Sequence, residues 1–244
     1  MEDLRDRSAL VTGCGRGIGG AIAEELQRRG ANVVGIDRAP PERPPPGIEL
    51  LRADVRDDPD ELVERIAAVH GVPELIVNNA GIDPPGGFLD ADARTVEDTL
   101  STNLRGPWFL TRSLVQQLVV GGRGGSIVFI SSLHSSTPRT HAHYGASKAA
   151  VTMLVRELAH ELGPHRIRVN AVSPGWVPTS GMPPELAGGQ ERVKRVIPLG
   201  RYGRPDDVAK IVAVLLSDQL AGYVTGADVP VDGGLATFTW CDQP

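Results

Sequence analysis

Short apolar runs alternate with longer segments of helical periodicity along most of the chain. The first run, Ser8–Thr12, favours a buried strand, and the next segment, Gly17–Arg29, has an apolar stripe at helical spacing. The alternation then repeats. It predicts strands at Asn32–Ile36, Ile48–Arg52, Glu74–Asn78, Ser126–Ser131, Arg166–Val172 and Asp228–Val231, and helices from about Asp57, from Thr95 to Val120 with a break near Gly106, over Tyr144–Leu162 and after Pro205.

This alternation predicts an α/β fold. Neighbouring parallel strands need long crossover connections, which are usually helical and right-handed, so we expect a parallel sheet covered by helices on both faces. The proline-rich segment Ala39–Gly47 cannot supply a full set of ladder hydrogen bonds and is predicted to be a surface loop. No linker or internal repeat divides the 244 residues, so residues 1–244 are expected to form one domain.

Composition narrows the possible functions. The apolar fraction of 41% and the charged fraction of 23% are typical of a soluble globular protein. A net charge of −5 and the lack of a basic run argue against a nucleic-acid partner. The charged N-terminus does not resemble a signal peptide, and the apolar runs are too short to span a membrane. The cytoplasm is therefore the expected location.

A glycine-rich turn, Thr12–Gly19, lies between the first predicted strand and the first predicted helix. Gly15, Gly17 and Gly20 also fit the G-x-G-x-x-G pattern. Glycines at this place permit a tight turn and let backbone N–H groups approach a pyrophosphate at the start of the helix. A purely structural turn is the alternative, so the pattern needs support from elsewhere in the chain.

Asp37 supplies that support, because it follows the second strand, twenty residues beyond Gly17. An acid at this place accepts hydrogen bonds from both ribose hydroxyls of an adenosine, and Asp54 with Val55 would lie near the adenine. A carboxylate there also repels a 2′-phosphate, which favours NAD over NADP. Arg16 and Arg38 could instead bind that phosphate and leave NADP possible.

Tyr144 and Lys148 are the candidates for the chemistry. They are four residues apart on a predicted helix and therefore share one face. A compact ammonium can donate to ribose hydroxyls and favour ionisation of a phenol, a task that suits a guanidinium less well. Most basic residues of the chain are arginine, which makes a lysine at this position informative.

Several motifs in the same order resemble the classical short-chain dehydrogenase/reductase family, nearly from end to end. The glycine-rich turn and the tyrosine–lysine pair are two of them. The others are Asn78–Gly81 (N-N-A-G), Asn103, Ile130–Ser132 (I-S-S), Pro174–Thr179 (P-G-x-V-x-T), and the C-terminal segments Pro198–Arg201, Arg204–Ala209 and Val231–Gly234.

The resemblance implies a single Rossmann-like, doubly wound domain with a seven-stranded parallel sheet, often assembled as a homotetramer. It implies hydride transfer between NAD(H) and a secondary alcohol or ketone. Tyr144 would be the general acid/base, Lys148 would hold the nicotinamide ribose and keep the phenol acidic, Ser132 would bind the substrate oxygen, and Asn103 would support a proton relay. The expected cofactor-binding residues are Gly13, Arg16, Gly17, Ile18, Gly19, Asp37, Asp54, Val55, Asn79, Gly81, Tyr144, Lys148, Val177 and Thr179.

The serine departs from the family pattern. The family commonly places it thirteen residues before the tyrosine, a position held here by Ser131, whereas Ser132 is twelve before Tyr144. The strand-end motif favours Ser132, with one residue lost from the intervening loop.

Other functions stay open beside the leading one. An NADPH-linked 3-oxoacyl reductase or similar ketoreductase would keep the same machinery, and a dinucleotide sensor without turnover would not need it. His134, His141 and His143 could bind a metal, but we expect none; a substrate-facing role for at least one of them is an open alternative. The segments Ile82–Phe88, Leu133–His143 and about Gly181–Val196, the last predicted to be a mobile lid, should shape the pocket without identifying the substrate.

Overall fold

A computed structural model describes residues 2–41, 45–138, 140–178 and 196–237. Strands and helices alternate along these segments in the predicted order. The strands are β1 (Ser8–Thr12), β2 (Asn32–Asp37), β3 (Ile48–Arg52), β4 (Leu75–Asn78), β5 (Gly125–Ile130), β6 (Ile167–Pro174) and β7 (Asp228–Val231); the helices are α1 (Gly17–Arg28), α2 (Pro59–His70), α3 (Ala93–Leu100), α4 (Gly106–Val120), α5 (Ala142–Leu162), α6 (Pro205–Leu216) and α7 (Asp218–Ala221).

The seven strands form one parallel sheet in the order β3-β2-β1-β4-β5-β6-β7. The chain builds outward from β1 to β3, then returns to the other side of β1 and continues to β7. The strand order therefore reverses between β1 and β4, and ligands of such sheets bind outside the carboxyl ends of the strands at that point. The predicted Rossmann-like, doubly wound class is confirmed.

Each strand of the centre buries residues on both faces, because successive side chains point to opposite sides of a strand. On β1, Leu10 packs with α2, α4 and α5 on one face, while Ala9 and Val11 pack with α1 and α6 on the other. The two cores hold the carboxyl ends of the strands, and the loops that follow them, at fixed positions.

One helix boundary differs from the prediction. The expected break near Gly106 is instead a π-helical turn over Ser101–Arg105, which connects α3 to α4 without interruption. Gly106 allows the close approach there, since a Cβ at this residue would lie 2.6 Å from the carbonyl oxygen of Val55. None of the helices in the described part of the chain is both long and apolar enough to cross a membrane.

Candidate active site

A cavity of about 350 Å³ opens at the carboxyl ends of β1 to β4, where the strand order reverses. Its walls come from the glycine-rich turn, the start of α1 and the residues that end β2, β3 and β4. Ten residues predicted from the sequence to bind a cofactor line it: Gly13, Arg16, Gly17, Ile18, Gly19, Asp37, Asp54, Val55, Asn79 and Gly81.

The glycine-rich turn is shaped by the space that its glycines leave. Gly13 has a φ of +64°, and a Cβ there would lie 2.9 Å from the Cα of Ala80. A Cβ on Gly19 would overlap the carbonyl oxygen of Gly13. Arg16, the residue before α1, makes no side-chain cap hydrogen bond, and the first residues of the helix, Gly17 to Gly19, line the cavity. This arrangement fits a pyrophosphate.

Asp37 is held at the edge of the cavity by two backbone groups. The N–H of Gly15 donates to its Oδ2 and the N–H of Ala39 donates to its Oδ1, each at 2.9 Å. Each carboxylate oxygen can accept a further hydrogen bond, as a ribose diol requires. The adjacent Arg38 lies 3.8 Å from a carboxylate oxygen of Asp54.

Asp54 is ionised in this setting. Partial burial acts to raise its pKa, but hydrogen bonds from Arg56 and the positive charges of Arg56 and Arg38 lower the pKa below its ordinary value. Nε and Nη2 of Arg56 both bond to the carboxylate. The carboxylate near the predicted adenine position is therefore held in an ion pair with Arg56.

Asn79 joins the end of β4 to the glycine-rich turn. Its Nδ2 donates to the carbonyl oxygens of Thr12 and Gly13 at 2.9 Å, and its backbone N–H donates to Oγ1 of Thr12 at 3.0 Å. Its side chain therefore fixes the conformation of the turn that forms the cavity wall.

Tyr144 and Lys148 lie in the first two turns of α5, as their spacing requires. Nζ of Lys148 is 5.7 Å from the centroid of the Tyr144 ring and donates to the carbonyl oxygen of Ile130 at 2.8 Å. Lys148 is only 5% exposed. Burial lowers the pKa of Lys148 to about 8, and the charge of Asp83 opposes that shift.

The lysine reaches the cavity wall at Gly81. A Cβ there would lie 3.5 Å from Nζ of Lys148 and 3.3 Å from Oδ1 of Asn103. Tyr144 and Lys148 do not line the cavity itself, and neither does Val177, which packs against the core around α6. Thr179 and the segment 181–195 of the predicted lid lie outside the described residues.

The two candidate serines point to different partners. Oγ of Ser131 donates to the carbonyl oxygen of Lys148 at 3.2 Å and lies 3.1 Å from Oγ1 of Thr152, so its hydroxyl faces α5. Oγ of Ser132 accepts from the N–H of His134 at 3.2 Å. That bond leaves the proton of Ser132 to donate elsewhere.

Asn103 lies in the π-helical turn and is buried. Its Oδ1 accepts from the N–H of Ile82 at 2.8 Å, and its Nδ2 donates to the Ile82 carbonyl at 2.9 Å and to Oγ of Ser147 at 3.0 Å. The whole amide is thereby engaged in holding the loop after β4 against α5.

One contact near the three histidines is not visible in the sequence. Nδ1 of His141 lies 2.7 Å from Oδ1 of Asp83. These residues are 58 positions apart, so no local pattern reveals the contact. The described residues include no group of three or more metal-ligating side chains arranged around a common point. Arg38, considered above for a 2′-phosphate, also lines the cavity, as do five residues that the sequence did not indicate: Ile36, Ala53, Ala80, Ile82 and Thr102.

Comparison with known proteins agrees with this geometry. A family model described as enoyl-(acyl carrier protein) reductase matches residues 13–236. The L-rhamnose 1-dehydrogenase (NAD(P)(+)) of Azotobacter vinelandii is 36% identical, over 95% of this chain and 97% of that protein. The (3R)-3-hydroxyacyl-CoA dehydrogenase of Rattus norvegicus is also 36% identical, over 95% of this chain and 97% of that protein.

A solved structure gives the same result. The putative 2-deoxy-D-gluconate 3-dehydrogenase of Agrobacterium tumefaciens, with bound NADP, has a TM-score of 0.88 and 31% identity, over 97% of this chain and 99% of that chain. The chain belongs to the classical short-chain dehydrogenase/reductase family. It is an NAD(P)-dependent oxidoreductase that acts on CH–OH or C=O groups.

Proposed function

We propose that the chain interconverts a secondary alcohol and a ketone on a small polyhydroxylated substrate, with NAD(H) preferred over NADP(H). The observation that supports this function most directly is the buried ammonium group of Lys148 beside the Tyr144 ring, at the wall of a cavity that fits a dinucleotide. Lysine side chains are rarely this buried, because removing the ammonium group from water is unfavourable unless another group interacts with it.

The cofactor would bind along the cavity. The helix N-terminus and Gly13, Gly17 and Gly19 would hold the pyrophosphate, while Asp37 would accept the ribose hydroxyls. The fixed Asp37 carboxylate would repel a 2′-phosphate, and the Arg38 guanidinium is already close to Asp54. These contacts support NAD, although the A. tumefaciens relative holds NADP.

The proton step belongs to Tyr144 and Lys148. The Tyr144 hydroxyl would take the alcohol proton in oxidation and return it to the ketone oxygen in reduction. The Lys148 ammonium would favour the phenolate form by its charge and would hold the nicotinamide ribose. When bound, the nicotinamide accepts or supplies the hydride.

Ser132 and Asn103 would assist from the flanking segments. The free proton of Ser132 would donate to the substrate oxygen and stabilise negative charge there. Asn103 would position Ile82 and α5 through its amide, and the proton relay expected from the family resemblance stays a prediction.

Polar side chains around Tyr144 support a polyhydroxylated substrate. The His134 ring meets the Tyr144 ring edge-on at 6.4 Å, and the Asp83–His141 pair lies in the two segments expected to shape the pocket. Substrates with several hydroxyls need such donors and acceptors, and two relatives act, by their names, on carbohydrates. A 3-hydroxyacyl substrate is the second candidate, because another relative is named for that activity.

A substrate panel tests the proposal. Sugars, polyols, sugar acids, simple secondary alcohols and 3-hydroxyacyl thioesters would be assayed by nicotinamide absorbance, each with NAD and NADP. We expect the highest kcat/KM with a polyhydroxylated alcohol and NAD. A clear preference for the thioester with NADPH would establish the second candidate instead.

Assembly and location are proposed more broadly. Residues 1–244 would form one catalytic domain, and Gly226–Gly234 resembles the part of the family that packs across a two-fold axis, so we expect a homotetramer. Sedimentation velocity at micromolar concentration should give a mass near four times 25.9 kDa, and a monomer would contradict the proposal. The cytoplasmic location also stays a prediction.

A further inference from the structure

The loop after β4 is hydrogen-bonded both to the π-helical turn and to the start of α5, the helix that carries Tyr144. The backbone N–H and the carbonyl oxygen of Ile82 both hydrogen-bond to the side-chain amide of Asn103 in the π-helical turn. The next residue, Asp83, bonds through Oδ1 to Nδ1 of His141 at 2.7 Å, directly before α5. In this contact the carboxyl oxygen accepts and Nδ1 of His141 donates.

His143 adds a second link between the same two segments. Its Nε2 donates to the carbonyl oxygen of Pro84 at 3.2 Å, and its ring stacks on His141 with centroids 6.0 Å apart and planes 11° from parallel. His143 is only 6% exposed. The two stacked imidazole rings therefore hold the loop against the first turn of α5, next to Tyr144.

The loop places a negative charge near the catalytic lysine. Nζ of Lys148 lies 5.7 Å from the centroid of the Tyr144 ring and donates to the Ile130 carbonyl of β5. A Cβ on Gly81, two residues before Asp83 in the same loop, would lie 3.5 Å from this Nζ. Burial lowers the pKa of Lys148, and Asp83 is the charge that opposes this shift. His141 is a titratable group in contact with this carboxylate.

We propose that Asp83 and His141 form a positioning pair for the proton step. His141 fixes the Asp83 carboxylate at the start of α5, and that carboxylate stabilises the ammonium form of Lys148 on which Tyr144 depends. Neither residue needs to touch the reacting atoms. The inference rests on the proposed roles of Tyr144 and Lys148. It adds a reason why Lys148 would keep the positive charge that those roles require.

The first experiment measures the lysine without any turnover. Trace acetylation by acetic anhydride over a pH series, read by mass spectrometry, reports how readily Lys148 gives up its proton in the cofactor-free protein. Asp83→Asn keeps an acceptor for His141 and removes the charge. At pH 7 it should raise the acetylation rate of Lys148 about two- to threefold, which corresponds to a shift of about half a pH unit.

Asp90→Asn is the matched control, because it removes an equal charge from the same stretch of chain and leaves the His141 contact in place. It should leave the acetylation profile unchanged. An Asp83→Asn protein that folds, by circular dichroism and thermal melting, and shows the wild-type Lys148 profile would overturn the proposal. If Asp83→Asn does not fold, His141→Leu tests the same pair with the carboxylate retained.

The second readout is the pH dependence of alcohol oxidation. Loss of the ammonium at lower pH should move the alkaline limb of kcat/KM to lower pH in Asp83→Asn and His141→Leu. His141→Asn, whose amide nitrogen can take the place of Nδ1, should restore the wild-type profile. No movement in either variant would contradict the positioning role.

The two readouts separate this inference from the proposed function. A shifted Lys148 acetylation profile with an unshifted activity profile would mean that the pair acts on Lys148 but that Lys148 does not serve Tyr144. An unshifted acetylation profile, with an inactive Tyr144→Phe enzyme, would leave the proposed function intact and refute the pair.

Discussion

The glycine-rich turn after β1 and the first turns of α5 lie at the same edge of the sheet, yet they are built from different parts of the polypeptide. In the turn, glycines without Cβ atoms bring backbone groups to the cavity, and Gly13 adopts a positive φ. In α5, polar side chains would supply the proposed chemistry, and Lys148 is buried and placed by its bond to the Ile130 carbonyl.

This difference determines what each region tolerates. The glycine-rich turn depends on the space left by its missing Cβ atoms, so it must distort when a Cβ enters at Gly13 or Gly19. A side-chain site keeps its packing when a group is replaced by an isostere but loses its function when one polar atom is removed. The two regions should therefore separate cofactor binding from the proton step.

The largest expected effect is on the proton step. Tyr144→Phe keeps the ring and removes the hydroxyl, so turnover should fall about a thousandfold or more while the NADH dissociation constant stays near that of the wild type. Steady-state kinetics and NADH fluorescence titration measure the two quantities. Wild-type oxidation should rise with pH at a midpoint well below about 10, where a free phenol titrates.

Lys148→Ala is the paired variant for that prediction. It should impair both turnover and NADH binding, because the ribose contact and the charge beside Tyr144 are lost together. A Tyr144→Phe enzyme with near-normal turnover would show that α5 does not supply the acid/base group.

The next largest effect is on NADH binding at the glycine-rich turn. In Gly19→Ala the new Cβ meets the Gly13 carbonyl oxygen and lies 2.5 Å from Nδ2 of Asn79, so the turn must distort. We expect at least about a tenfold loss of NADH affinity, near 1.4 kcal/mol, and a lower melting temperature. Isothermal titration and thermal melting provide the measurements.

Gly20→Ala is the control for Gly19→Ala. Gly20 fits the same sequence pattern, but a Cβ there would lie 3.4 Å from the Cys14 carbonyl oxygen, in ordinary contact, and alanine favours the helix. NADH affinity should stay unchanged in this variant. Equal losses in both variants would refute the assignment of the clash to Gly19.

A smaller effect concerns cofactor choice. Asp37→Ser removes the carboxylate that should accept the ribose hydroxyls, so a wild-type preference for NADH of about tenfold or more should narrow or reverse. Asp37→Asn is the isosteric control, since it removes the charge but keeps an oxygen that can accept from Gly15. Fluorescence titrations with NADH and NADPH measure both variants. A wild-type preference for NADPH would contradict the role assigned to Asp37.

The smallest expected effect is on stability. The pKa of Lys148 in the folded protein, about 8, lies below its ordinary value of 10.5, so the unfolded chain binds this proton more tightly. Below pH 8 the folded protein holds a buried charge at a cost of roughly 3 kcal/mol, and this cost disappears as the pH rises from 8 to 10.5.

Lys148→Met should therefore stabilise the cofactor-free protein at pH 7, by about 1 kcal/mol after the unpaired Ile130 carbonyl is counted. Thermal melting should show a rise of about 2–4 °C at pH 7. The gain should vanish near pH 10, where the wild-type lysine is neutral. A destabilised Lys148→Met protein at pH 7 would mean that burial of this ammonium carries no net cost.

Most of the fold follows from local patterns. In the described residues, apolar periodicity predicted all seven strands to within two residues. It also predicted every helix there except the four-residue α7. The break expected near Gly106 was wrong because a proline and a glycine signal an interruption, whereas the chain accommodates them with a π-helical turn. The close contact of Gly106 with Val55 comes from a distant strand end.

The candidate site was predictable where its geometry is local. Tyr144 and Lys148 share a face because they are four apart on one helix, and Asp37 reaches the cavity because it ends the strand beside β1. The choice between Ser131 and Ser132 was not decided by spacing. It depends on which hydroxyl meets Lys148 and Thr152, a contact between β5 and α5.

The sequence by itself determined the order of strands and helices, the glycine-rich turn and the spacing of the tyrosine–lysine pair, because each depends on neighbours within a few residues. Only the tertiary structure decided the Asp83–His141 contact, the engagement of the Asn103 amide and the burial of Lys148. These features join segments that are far apart in the chain. Their positions and energies depend on how the sheet brings those segments together and excludes water.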